Sequence, residues 1–297
     1  MGRLPVLRTV AGAAFAAAAV ASAGPGLAKP PAPPLAAAPP SLPPAALQID
    51  EVERAFAQVV AQQGIAQGFR QFAAPDAVMF LPDPAPAQQG LAGARWAGEL
   101  LWRAQYIAVA PSGDLAFSAG PSLLRGGGGR PSGGFYLAVW RRQPDGGWKF
   151  VLDHAVDMPP AVWSALARPL MVMNAEPPAG GPSNEGMREA DGALNAALPK
   201  GAEAAFAERL DDQAILARAE RPVAQGRRKA LALVADSPAI LEASTLGGSR
   251  SADAGFGYTY GRARWSGPAG PQIGYYVRVW RATPQGWRLL ADHLAER

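Results

Sequence analysis

Apolar positions follow two different periods along this chain. Ile49, Val52, Phe56, Val59 and Val60 recur at three- and four-residue intervals, which predicts a helix ending near Gln63 with one buried face. Asp50, with Glu53 three residues on, has the form of a capping box at the helix start. Farther along the period shortens to two. Residues 134–141 and 148–154 are aromatic and β-branched runs around a turn containing Pro144, Gly146 and Gly147, and they predict a β-hairpin.

That hairpin occurs twice. Gly134-Phe135-Tyr136-Leu137-Ala138-Val139-Trp140-Arg141 returns as Gly274-Tyr275-Tyr276-Val277-Arg278-Val279-Trp280-Arg281. Trp148-Lys149-Phe150-Val151-Leu152-Asp153-His154 returns as Trp287-Arg288-Leu289-Leu290-Ala291-Asp292-His293, with one residue fewer in the turn. Upstream, residues 69–78 parallel 206–215 without a gap. Each half is predicted as helix, short strand, short helix and then antiparallel strands. That order describes two α+β units, residues 48–158 and 187–297, of a common domain size. The linker 159–186 is rich in Pro and Gly, and its apolar stretch 162–173 is expected to form a packed helix.

The start of the chain follows another logic. Residues 1–23 combine Arg3 and Arg8, an uncharged alanine-rich core and the small-residue triplet Ala21-Ser22-Ala23, the pattern of a secretory signal peptide. Residues 24–47 form a proline-rich spacer that favours extended polyproline II. The mature protein is therefore expected in the periplasm or secreted, with no stable membrane insertion once the signal is cleaved.

Composition narrows the chemistry. The 297 residues are 49% apolar and 18% charged, enough for real cores in about two domains. Cysteine is absent, which removes disulfide scaffolds, cysteine metal sites and thiol nucleophiles. Two histidines exclude a three-histidine metal site, and no metal or cofactor is expected. The net charge of +4 falls to +2 without Arg3 and Arg8, and the remaining arginines are scattered rather than gathered into a nucleic-acid footprint. Gly126 to Gly129 completes no phosphate-binding motif, and the chain carries no GxSxG elbow and no HExxH.

The order of elements, the phrase Ala110-Pro111-Ser112-Gly113-Asp114-Leu115, and the ending Tyr136, Trp140, Arg141, Pro144, Gly147-Trp148-Lys149 resemble the nuclear transport factor 2-like superfamily. Within it the similarity is to the SnoaL-like branch called domain of unknown function 4440, present as two tandem copies. The resemblance implies two cone-shaped α+β domains, each with helices packed on a strongly curved antiparallel sheet around an apolar pocket. It also implies an internal pseudo-dimer joined through the sheets. Members include isomerases, dehydratases, cyclases and epoxide hydrolases, alongside proteins that only bind or assemble, so the fold does not name the function.

Candidate chemistry gathers at the repeated strand end. His154 and His293 are the only histidines, and each follows an aspartate, Asp153 or Asp292. Simple alternation puts His154 on one face with Trp148, Phe150 and Leu152, and the aspartates on the other. On a pocket wall a desolvated histidine stays neutral and suits general acid–base work. At the junction of the halves it would be structural. Asp153 is the alternative base if its face lines the cone. Tyr136, Trp140, Trp102, His293 and Tyr276 are the candidate ligand-binding residues. The leading expectation is a small apolar molecule in the cone, with cofactor-independent isomerase or lyase chemistry carried by His154 or Asp153. The alternative is a non-catalytic interaction or assembly module of the cell envelope.

Overall fold

Helix α1 (Pro44–Gln63) buries Ala46, Ile49, Glu53, Phe56 and Val60, a stripe at alternating spacings of three and four. It begins inside the stretch read as spacer, because proline is favourable in the first turn of a helix, where no N–H is needed. Asp50 is thus not a cap: it lies within α1 and pairs with Arg54 at 2.6 Å. The computed structural model describes residues 43–92, 96–162, 168–175, 186–267 and 270–297. The signal-like leader and the spacer up to residue 42 lie outside the described residues.

Gly64 ends α1 at φ +87°, a backbone region that glycine enters without strain. Helix α2 (Ile65–Phe72) then folds back on α1. A Cβ on Gly68 would lie 2.4 Å from Val60 Cγ2, so the close crossing needs glycine. Next come β1 (Ala73–Phe80), β2 (Pro84–Pro86), α3 (Ala87–Ala92), β3 (Glu99–Trp102), β4 (Tyr106–Val109), β5 (Leu115–Arg125), β6 (Ser132–Arg142), β7 (Trp148–Met158) and the short β8 (Met171–Val172). The second half holds α4 (Met187–Ala197), α5 (Ala202–Arg209), β9 (Leu210–Arg218), β10 (Ala224–Gln225), α6 (Arg227–Ala235), β11 (Ile240–Arg250), β12 (Phe256–Gly267), β13 (Gly270–Thr283) and β14 (Gly286–Glu296).

The fold is α+β, with one mixed sheet in each half. The first runs β2-β1-β7-β6-β5-β4-β8, with β3 also on β5. The second runs β10-β9-β14-β13-β12-β11, the same order without the last strand. In both, the first strand lies parallel to the last hairpin strand, β1 on β7 and β9 on β14. The expected helix over 162–173 is not found at 171–172. There Met171 N–H donates to the Gln105 carbonyl and Met173 N–H to the Ile107 carbonyl, because the open edge of β4 offers those acceptors.

Residues 41–297 form one compact unit. The two sheets pack face to face, and one apolar core runs through both, joining Leu137, Val139 and Phe117 with Val277, Val279 and Phe256. Equivalent turns clasp each other at one end: Ser112 N–H donates to Asp253 Oδ2 and Ala252 N–H to Asp114 Oδ2, each at 2.9 Å.

One repeated irregularity decides which side chains face where. Val139 pairs with Leu152 but Trp140 pairs with Phe150, so Val151 is an extra residue in β7. Val279 pairs with Ala291 and Trp280 with Leu289, so Leu290 is extra in β14. A bulge of one residue reverses the alternation beyond it. Asp153 therefore joins Phe150 on the helix-covered face, and His154 turns to the opposite face. The expected grouping of His154 with Trp148 and Phe150 is corrected on this account.

Candidate functional site

The apolar stripe of α1 carries a single acid, Glu53, which is 4% exposed. Three donors from the sheet hold it. Trp102 Nε1 on β3 donates to Oε2 at 2.7 Å, and Tyr136 OH on β6 donates to Oε1 at 3.1 Å. The Ser118 hydroxyl on β5 also donates to Oε1 and accepts from Trp140 Nε1 at 2.8 Å. Burial raises the Glu53 pKa against the opposing pull of these bonds.

Glu53 lies at one end of a cavity of about 360 Å³ between α1, α2 and the sheet. Its walls are mostly apolar, with Phe56, Phe69, Leu100 and Leu124 among them. Ala138 and Asp153, partners across β6 and β7, also line it. Asp153 is half-buried and has no hydrogen-bond partner among the described residues. Burial, and secondarily the charge of Glu53, pushes its pKa up to about 7. A carboxyl in that condition exchanges protons readily near neutral pH. Burial, reinforced by Glu53, lifts the Tyr136 hydroxyl well above its usual range.

The second half shapes the mouth of this cavity. Tyr275, Ala295 and Glu296 are part of the lining. Tyr275 OH donates to Asp83 Oδ1 at 2.6 Å, and Arg297 pairs with the same carboxylate at 2.7 Å.

The expected site residues separate into three places. Asp153, Tyr136, Trp102 and His154 border the cavity. Trp140 does not: it is fully buried behind the wall, bonded to Ser118. His293 lies in the junction of the two sheets, its ring centroid 6.0 Å from that of His154 and 5.6 Å from that of Phe135. Neither of its ring nitrogens has a partner among the described residues. Burial lowers the His154 pKa to about 3 and holds His293 well below its usual value, so both rings are neutral near pH 7. His154 is thus mainly a junction residue that reaches the cavity lining.

Tyr276 belongs to the second half, where the equivalent space is filled. Arg278 occupies the position equivalent to Ala138. Its guanidinium pairs with Asp191 at 2.7 Å and Asp292 at 2.8 Å, and lies 3.9 Å over the Tyr276 ring. Arg218 pairs with the other oxygen of Asp292 at 2.5 Å. Burial would raise the Asp292 pKa, but Arg218 and Arg278 hold it below the ordinary carboxylate range. Tyr276 OH donates to Asp191 at 2.8 Å, and burial pushes its pKa up to about 12. A smaller cavity of about 230 Å³ reaches Arg218 but not Tyr276, Arg278 or Asp292.

Glu53 and Ser118 are not among the expected site residues; Glu53 entered only as part of the capping box. The signal for Glu53 was its place in the buried stripe of α1; Ser118 carries no sequence signal of its own. Among the described residues, no group of three or more His, Asp or Glu is arranged to hold a metal ion, and no helix is long and apolar enough to cross a membrane.

No protein-family model matches the chain, and no curated protein matches it. Solved structures do. An NTF-2-like protein of unknown function from Shewanella oneidensis is 12% identical, over 36% of this chain and 93% of its own, with a TM-score of 0.31. A ketosteroid isomerase-like protein from Erwinia carotovora is 15% identical, over 39% and 98%, with a TM-score of 0.33. An uncharacterised protein with a cystatin-like fold from Caulobacter vibrioides is 14% identical, over 39% and 89%, with a TM-score of 0.32.

Proposed function

We propose that the first half binds a small, mainly apolar molecule in the cavity between α1 and its sheet and transfers a proton on it, with Asp153 as the base. One observation carries this reading: the Asp153 carboxyl, without a hydrogen-bond partner among the described residues, lines a mainly apolar cavity of about 360 Å³, where burial pushes its pKa up to about 7. Asp153 takes a proton from the ligand, and its conjugate acid returns that proton at a neighbouring atom, an isomerisation without a cofactor. Trp102, Tyr136 and Glu53 orient the polar end of the ligand. His154, held neutral in the junction, positions the strand.

The same proposal covers the organisation of the chain. Residues 48–158 and 187–297 are two tandem NTF2-like units of the SnoaL-like kind, paired internally. The common strand order and the repeated bulge support this. The leader directs export to the periplasm or beyond. The alternative reading, a non-catalytic assembly module, suits the second half, whose Arg278 network fills its interior while its sheet packs on the first half.

Native mass spectrometry of the chain purified from the exported fraction tests the reading. Extra mass that disappears on denaturation, and is absent from an Ala138→Arg protein, is the expected result. A ligand retained by Ala138→Arg, or turnover of the released molecule unchanged in Asp153→Asn, would count against it.

A further inference from the structure

Among the described residues, the first-half cavity is acidic without a counter-charge in its wall. Four carboxylates border it: Glu53, Asp153, Asp157 and Glu296. Among the described residues, no lysine or arginine lines it and none of the four is in an ion pair. Glu53 accepts only from neutral donors, and Glu296 accepts from the Gln272 amide at 2.7 Å. Aromatic faces and edges make up much of the remaining wall, from Phe69, Phe80, Trp96, Trp102 and Tyr275. Carboxylates and aromatic rings both attract cations, and in an apolar enclosure the attraction is poorly screened.

The second half shows what completes such a site. Tyr276 follows Tyr136 in the repeat, Asp292 follows Asp153, and Asp191 receives the Tyr276 hydroxyl as Glu53 receives that of Tyr136. Between those two aspartates, over the tyrosine ring, lies the guanidinium of Arg278. Arg278 and Asp292 are cross-strand partners, as are Ala138 and Asp153. The first half keeps the two acids and the tyrosine but has a methyl group where the cation belongs.

We propose that the ligand of the first-half cavity is an organic cation, an apolar body carrying a guanidinium, amidinium or ammonium head that lies between Glu53 and Asp153. The head takes the place that Arg278 fills in the second half, and the body lies along the aromatic wall. This rests on the reading that the cavity holds a small apolar molecule, and it supplies the charge and head group of that molecule. A bound cation also supplies the buried Glu53 and the half-buried Asp153 with a counter-charge that neither has among the described residues.

The test is titration calorimetry of the full chain with three matched probes: 3-phenylpropylguanidinium, the neutral 3-phenylpropylurea and the anionic 5-phenylpentanoate. The guanidinium is expected to bind at least tenfold more tightly than the urea, and the carboxylate not at all. Asp153→Asn should erase the preference for the cation over the urea, and Ala138→Arg should abolish guanidinium binding. Equal or tighter binding of the urea by the unmodified chain would overturn the cation assignment and leave the pocket reading standing. Failure of every probe to bind would overturn both. Guanidinium binding that survives Ala138→Arg would place the cation elsewhere on the protein and overturn the assignment.

Discussion

The two halves solve the same burial problem in opposite ways. Each brings an acid from its first helix and an aspartate from its last strand to one tyrosine on the sheet. The second half neutralises them from within: Arg278 is 2% exposed between Asp191 at 0% and Asp292 at 1%, and Arg218 closes the other side. The first half has Ala138 in place of Arg278 and leaves a cavity whose acids have no ion-pair partner among the described residues. Arg278, with Asn195 and Arg218 around it, thus occupies in the second half the place where the first half has Ala138 and a larger cavity. The pKa directions follow from that difference, with Asp292 held low by two guanidinium groups and Asp153 pushed up by burial alongside another acid.

The largest effect is expected where the network is cut. Arg278→Ala leaves Asp191 unpaired and deeply buried and costs Asp292 one of its two partners, and breaking such a pair costs about 3–5 kcal/mol. Urea unfolding at pH 7 should show a loss of that size, and a loss under 1 kcal/mol would mean the network is not closed as described.

Asp153→Asn should act with the opposite sign. An aspartate whose folded pKa is raised from 3.8 to about 7 favours folding fully only below pH 3.8, and that contribution is lost as pH rises toward 7. Removing the charge should therefore stabilise the protein at pH 8 by about 2–4 kcal/mol. Near pH 4 the gain should be close to nil. Unfolding curves at the two pH values check the difference.

The comparison can also be inverted. Ala138→Arg gives the first half the residue of the second, with room for it in the cavity. Ligand binding should fall at least tenfold, about 1.4 kcal/mol, while the melting temperature holds or rises. Loss of folding would instead show that the two interiors are not interchangeable. A smaller change tests the junction: Asp114→Ala removes one of the two reciprocal bonds between the equivalent turns and should cost about 1 kcal/mol in the same unfolding assay.

The sequence disclosed the hairpins and the α1 stripe because each rests on a period that recurs over several residues. It did not disclose the orientation of the strand end. Val151 and Leu290 are apolar residues that fit either face of a buried sheet, so nothing in their chemistry marks a bulge. Without the bulge, alternation puts the histidines where the aspartates are. Glu53 was legible as a carboxylate near a helix start and was read as part of a cap. The prolines at residues 43 and 44 moved that start upstream and left Glu53 on the buried stripe. The mismatch of Ala138 with Arg278 was visible in the two similar hairpin sequences, but its meaning depends on which face points inward. That face is set by the register of β6 with β7, a long-range property of the sheet.

The most direct test of the account is a pH titration of the protein labelled with carbon-13 at its aspartate side-chain carboxyls, followed by NMR. The account predicts one resonance, missing from Asp153→Asn, that titrates near pH 7, while the resonance missing from Asp292→Asn titrates below the ordinary value of 3.8. An Asp153 carboxyl that titrates near its ordinary value of 3.8 would contradict it, because its charge would then be solvated or paired in the first half as it is in the second.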